Sequence, residues 1–135
     1  MIKLFFFALT FCSVSTFFIY PQQEKFDLTA SISRGKEVYS TYCMSCHQEQ
    51  GEGIDDVFPP LAKADYLMAD KKRSIMQTLY GVSGEIKVNG KIYSGEMTGF
   101  ELTDQETSDV LNYVRNSFGN KGEVVKPEEV KAVRK

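Results

Sequence analysis

The chain has 135 residues, enough for one compact domain, and its 16 basic and 18 acidic side chains leave a net charge of −2. No excess or cluster of Lys and Arg gives it the basic footprint of a nucleic-acid binder, so that class is excluded. The apolar share, 42%, is ordinary for a globular protein, but much of it is concentrated at the start.

Residues 1–20 read MIKLFFFALTFCSVSTFFIY, and Lys3 is the only charge before Glu24. A positive residue followed by such an apolar run is an export signal. It is compatible with two forms, and both stay open. A cleaved signal peptide would end near Ser13 and Ser15. An uncleaved anchor would use the stretch up to Tyr20, at the short end of the roughly 17 to 25 residues that span a bilayer. Lipid attachment at Cys12 is disfavoured by the bulky Phe11 before it. In either form the rest of the chain works in the periplasm or facing it, secreted or held at the inner membrane. Without residues 1–20, which contribute Lys3 alone, 15 basic and 18 acidic side chains remain, a net of −3. That balance favours partners with a basic or mixed docking surface.

Residues 21–30, PQQEKFDLTA, read as a polar linker, and residues 31–120 as the domain proper. A helix is expected from Ser31 or Ser33, where a serine caps the first free N–H groups, through RGKEVYSTYCMSCH. The glycines and the double proline of QEQGEGIDDVFPPLAKA make the next stretch a loop, with a short helical turn around Ala62 to Met68. Asp70 caps a helix over KKRSIMQTLY, with Ile75, Met76 and Leu79 as its apolar stripe and Gly81 as its stop. GEIKVNGKIYSG reads as a small hairpin turning at Asn89-Gly90. Thr103 and Glu106 form a capping box ahead of Val110, Leu111, Val114 and Phe118 at helical spacing, with Gly119 beyond. The charged segment 121–135 carries one last short helix beginning near Pro127. Short helices and long loops make a poor core for about 115 residues. A loop as long as Gln48 to Pro60 is unusual in a compact domain unless it wraps something. The sequence describes a shell without a centre.

The segment YCMSCHQEQG supplies the centre. Cys43-Met44-Ser45-Cys46-His47 is the C-x-x-C-H attachment signature of a c-type haem. Two thiols one helical turn apart can add across the two vinyl groups of a porphyrin edge, and the adjacent imidazole then lies beneath the iron. A structural zinc site needs four ligands, and the only further cysteine, Cys12, is in the export segment. A thioredoxin-like pair would need a βαβ setting that is absent. A disulfide across two residues would close too small a loop to stabilise much.

His47 is the only histidine, so the other axial position falls to methionine, to a weaker ligand or to none. Met44 lies between the tethering cysteines, Met76 fits a helical apolar stripe and Met68 the turn before it. Met97, in the glycine-flanked loop SGEMTGF, is the favoured distal ligand.

With CMSCH, FPPLA, VNGKIYSGEMTGF and LTDQETSDVLNYVRNSFGN in place, the segment from about Ser33 to Asn120 resembles a class I mono-haem cytochrome c of the bacterial periplasmic type. The resemblance implies an all-α fold, short helices wrapped around one covalently bound haem, with a small β-hairpin. It implies that the first helix crosses the last long one near Gly35 and Tyr39 against Val110 and Tyr113. It also implies that the Pro59 carbonyl, or that of Pro60 with the register shifted by one, orients the His47 ring, and that Leu61 packs on the haem. Thr98 departs from the pattern, since many relatives have proline after the axial methionine.

The function so implied is carriage of single electrons, the haem iron cycling between Fe(II) and Fe(III), between periplasmic or membrane redox enzymes of a respiratory chain. The hairpin and the ending resemble modules found beside periplasmic dehydrogenases and copper nitrite reductases. The alternatives are a dedicated cytochrome c subunit of a dehydrogenase, reductase or oxidase complex, and a haem enzyme or ligand sensor with a labile distal site.

Overall fold

The computed structural model describes residues 25–135, and the expected export segment 1–20 lies outside them. Six helices and one hairpin follow in the order α1 Leu28–Tyr42, α2 Met44–His47, α3 Asp65–Ala69, α4 Lys71–Tyr80, β1 Gly81–Val88, β2 Lys91–Thr98, α5 Asp104–Asn116 and α6 Pro127–Val133.

Helix α1 starts earlier than the serines suggested. The Asp27 carboxylate accepts the Ala30 N–H at 3.0 Å, so Asp27 is the cap and residues 28–30 of the expected linker are helical. Asp70 caps α4 through the Arg73 N–H, and the Thr103–Glu106 capping box opens α5, both as the sequence indicates.

Helix α1 crosses α5 at Gly35, which meets Asp109 and Tyr113. Below the crossing, Tyr39, Tyr113 and Phe118 pack as a triangle of rings with centroids 5.3 to 5.4 Å apart, tilted or edge-on as ring quadrupoles prefer. The main core joins Tyr39, Ile75, Leu79, Val110, Leu111 and Val114 to Val125 and Val130. The C-terminal helix expected near Pro127 is therefore part of the core. Fully buried Asn112 fastens it, accepting the Val125 N–H at 2.8 Å and donating to the Val125 carbonyl at 2.8 Å.

The hairpin is longer than expected. Its strands run from Gly81 to Thr98, antiparallel, with Val82 opposite Met97, Gly84 opposite Gly95 and Ile86 opposite Tyr93. Its far end is pinned by a second buried cluster of Ala64, Val88 and Tyr93. The turn residue Asn89 exchanges hydrogen bonds with Asp65, at 3.0 and 2.7 Å. Lys91 bridges to Asp55 and Asp56 in the loop after α2, at 2.5 and 2.8 Å. Among the described residues no helix is long and apolar enough to cross a membrane.

Candidate functional site

The helix expected to run through His47 is interrupted at Cys43, between α1 and α2. Cys43 closes α1 with its N–H on the Tyr39 carbonyl at 2.9 Å. The single turn of α2 then brings the Cys46 and His47 N–H groups onto the Cys43 carbonyl, at 3.2 and 2.9 Å. The two sulfurs and the imidazole thus project from one turn of backbone. Gln48, at φ 65°, ends it, and the Tyr39 hydroxyl donates to the Gln48 carbonyl at 2.6 Å.

Both thiols are free. The Cys43 thiol is pushed up to about 11, first by burial and then by its neighbour Cys46. His47 is buried, and its Nδ1 lies 3.0 Å from the Pro59 carbonyl. A carbonyl accepts only, so Nδ1 carries the hydrogen and Nε2 keeps its lone pair for a metal. Burial lowers the imidazole's pKa, while the bond to Pro59 pulls the other way. The ring is held neutral and oriented, as a metal-binding histidine needs to be.

The loop after α2 is built to deliver that carbonyl. The Gly53 N–H returns to the His47 carbonyl at 3.0 Å, and Ile54 and Phe58 exchange bonds of 2.9 and 2.8 Å. Leu61 and Ala62 both donate to the Gly51 carbonyl, at 2.7 and 2.8 Å. Asn120 donates to the Leu61 carbonyl at 2.8 Å and to that of Val114 at 2.7 Å, so the loop is tied to the end of α5. The carbonyl on the histidine belongs to Pro59, not to Pro60.

Above this turn opens a cavity of about 430 Å³. Its floor holds Cys43, Cys46 and His47, and Pro59 and Leu61 stand on one side. Val110, Leu111 and Val114 of α5 make another wall, and the inner face of the hairpin closes it with Val82, Ile86, Tyr93 and Met97. Met97 lies within β2 rather than in a loop, because strand pairing continues three residues beyond the expected hairpin. It is the only methionine lining the cavity among the described residues. Met44 is 38% exposed, and Met68 and Met76 are half-buried outside the cavity.

The residue set fits a covalently attached haem. It offers two free thiols for the vinyl edge, an oriented imidazole, an apolar enclosure and one thioether in the lining. Sequence reasoning missed the groups that hold this frame. Asp109, 2% exposed, accepts from Ser31 at 2.5 Å and from Arg34 Nε and Nη2 at 2.7 and 2.9 Å. On the cavity wall, Tyr66 sits under Arg73, whose guanidinium carbon lies 3.8 Å from the ring centroid, and accepts from Gln77 at 2.9 Å. Nothing local in the sequence marks these partners.

The family model for cytochrome c matches residues 32–118. Cytochrome c-552 of Thermus thermophilus is 40% identical over 110 residues, covering 74% of this chain and 83% of that protein. A further cytochrome c-552 from Thermus thermophilus matches with the same identity, over 74% of its length. The cytochrome c subunit of the quinone-dependent alcohol dehydrogenase of Gluconobacter oxydans is 34% identical over 88 residues, 64% of this chain and only 18% of that subunit.

Proposed function

Because this chain belongs to the cytochrome c family, as a class I mono-haem member, we propose that His47 and Met97 are the two axial ligands of its haem iron. The haem c is attached through Cys43 and Cys46, and the chain is a carrier of single electrons rather than a catalyst. When bound, the group supplies an iron that exchanges one electron between its ferrous and ferric states. Everything else is done by the polypeptide. His47 presents Nε2 while Pro59 fixes its ring, and Leu61 with the α5 valines gives the cavity an apolar lining that would keep water from the bound group. Met97 would supply the iron's second protein ligand, which would leave it no open site for a substrate. Methionine with histidine also raises the reduction potential.

The observation that carries this reading is the 3.0 Å contact between His47 Nδ1 and the Pro59 carbonyl at a cavity that Met97, alone among the described methionines, also lines. The test is Met97→Ala in the haem-loaded protein. The expected result is a lowered midpoint potential, loss of the weak red band of thioether-ligated ferric haem and new binding of carbon monoxide. An unchanged potential and spectrum would remove Met97 from the site.

The apolar start, residues 1–20, supports export and work outside the cytoplasm, and N-terminal sequencing of the native protein decides between a cleaved signal and an anchor. The net charge of −3 beyond it supports a redox partner with a basic or mixed docking surface. A free monomeric carrier would bind that partner weakly enough to be released. The match to dehydrogenase cytochrome subunits favours a second reading, a subunit held on a larger oxidoreductase, although the chain spans only about a fifth of their length. Native purification separates the two by whether an enzyme accompanies the cytochrome.

A further inference from the structure

The cavity face of the hairpin is interrupted at one cross-strand pair. Along β1 the residues that line the cavity alternate, Val82, Gly84, Ile86 and Val88, while Ser83, Glu85 and Lys87 face away. Opposite them stand Met97, Gly95 and Tyr93, and toward the base of β2 Glu96 and Thr98 also border the cavity. The row therefore reads Val82 with Met97, Gly84 with Gly95, and Ile86 with Tyr93. Large side chains flank a pair that has none.

A Cβ built at Gly84 or Gly95 meets no atom within 4 Å. Both glycines border the cavity and are exposed, so the space above the pair is open and unfilled by any side chain. Gly84 has φ +88°, a left-handed conformation that favours glycine for backbone reasons alone. Gly95 has no positive φ, so its backbone makes no such demand. Glycine within a strand weakens it, and such a position marks a place where a ligand or another backbone comes close.

The hairpin cannot simply move outward to admit a side chain there. Val88 and Tyr93 are buried at its far end, and the Asn89–Asp65 exchange holds the turn. At its base, Gly99 packs directly on the backbone of Leu79 and Tyr80. The Cα positions of the two flanking pairs lie about 13 Å apart along the strand, and no side chain on this face fills the stretch between them. Met97 lies at one edge of that stretch.

We infer that the Gly84–Gly95 pair is a seat for the rim of the haem ring, its bare backbone letting the ring approach β2 closely enough for the Met97 sulfur to reach the iron. The inference rests on the assignment of Met97 as the distal ligand. Gly95 is then a positioning residue: it does not touch the metal, but its missing side chain sets the distance across which Met97 ligates.

The test uses the full haem-loaded protein carrying Gly95→Val, with Ser94→Val on the outward face of the same strand as control and Gly95→Ala as the smaller change. The readouts are the red band of the ferric protein, the midpoint potential and carbon monoxide binding to the ferrous protein. Gly95→Val is expected to lose the band, lower the potential and bind carbon monoxide, Gly95→Ala to shift partway, and Ser94→Val to match the parent. A Gly95→Val protein with parental spectrum and potential overturns the inference. Should that variant fail to accumulate with haem, Gly95→Ala decides by the same two readouts, a shift supporting the seat and identity with the parent overturning it. Met97→Ala measured alongside separates the two assignments. If it changes the spectrum and the Gly95 variants do not, only the seat falls; if it too changes nothing, the distal ligand falls and the seat with it.

Discussion

Gly35 of α1 lies against the main-chain carbonyl of Asp109 in α5, so the two helices touch backbone to backbone. A methyl group on Gly35 would collide with that carbonyl and come within 2.9 Å of the Tyr113 Cβ. These atoms belong to a helix or its first side-chain carbon, and they cannot turn aside. Gly35→Ala gains up to about 1 kcal/mol of helix propensity, but overpacking of this kind costs about 1–3 kcal/mol. The clash with backbone decides the sign, and a net loss of stability is expected. Helix α1 ends in the haem-binding turn and α5 forms a cavity wall, so separating them also loosens the pocket. Guanidinium denaturation of the haem-loaded protein checks this, and a parental or raised midpoint would refute it.

The carboxylate of Asp109 is buried while its partner Arg34 is half in solvent, at 2% and 51% side-chain exposure. The pair is more than a surface bridge, since Ser31 and Gln105 also donate to Asp109, at 2.5 and 2.9 Å. Removing Arg34 strands a buried anion, which costs about 1–3 kcal/mol or more. Replacing Asp109 by asparagine removes that charge and keeps an acceptor for Ser31. The double variant Arg34→Ala/Asp109→Asn should therefore lose less than the sum of its singles, with a coupling of about 0.5–3 kcal/mol. Strict additivity in a double-mutant cycle would show that the two groups do not act as a unit.

What could be read from the residues alone follows a physical division. The C-x-x-C-H spacing, the Asp70 cap, the Thr103–Glu106 box and the Asn89-Gly90 turn are all determined within a few residues, and the sequence displays them directly, whereas the break of the expected single helix at Cys43 into α1 and α2 was not visible. The placement of Met97 in a strand was not visible, because GVSG and GEMTG contain glycines that read as breaks and pair only with each other. Arg34 and Asp109 meet across 75 positions, and Asn112 finds Val125 only once α5 and the chain end have packed. The choice of Pro59 over Pro60 likewise depends on how Gly51 and Gly53 fold the loop back. Local chemistry is written locally, whereas partners chosen by packing are not.

The hairpin turn offers a way to loosen the proposed distal ligand without touching it. Asn89 has φ 50° and exchanges two hydrogen bonds with Asp65. Asn89→Ala loses the side-chain half of that exchange, worth about 0.5–1.5 kcal/mol, and places alanine in a left-handed conformation that costs it about 1–2 kcal/mol. Both effects weaken the clamp at the end of the hairpin remote from Met97. The expected outcome is a spectrum like the parent's at rest, with faster binding of external imidazole to the ferric protein as the Met97 strand opens more often. Binding kinetics followed by stopped-flow absorbance would test this, and an unchanged rate would mean that the base of the hairpin alone holds the strand.

Acid stability should depend on Glu106, far from the haem turn. Its carboxylate accepts from the Thr103 hydroxyl at 2.7 Å and from the Thr103 N–H at 2.8 Å. These bonds, the hydroxyl's first, hold its pKa below the usual glutamate value against partial desolvation and the nearby Asp109 charge, which both push the other way. Asp104 shares the same helix turn and pairs with Arg134 at 2.7 Å. A carboxylate with a depressed folded pKa adds stability that is fully present above its unfolded value, about 4.3 for glutamate, and that is lost as pH falls through the folded value. Glu106→Gln keeps an acceptor at the cap but has nothing to protonate. Its stability, from denaturant midpoints between about pH 5 and pH 3, should therefore fall less steeply than the parent's. Glu129, whose carboxylate burial pushes up but Lys71 holds below its usual range, keeps part of the acid dependence in both proteins. Equal slopes for the two proteins would show that the capping carboxylate does not contribute to the acid limb.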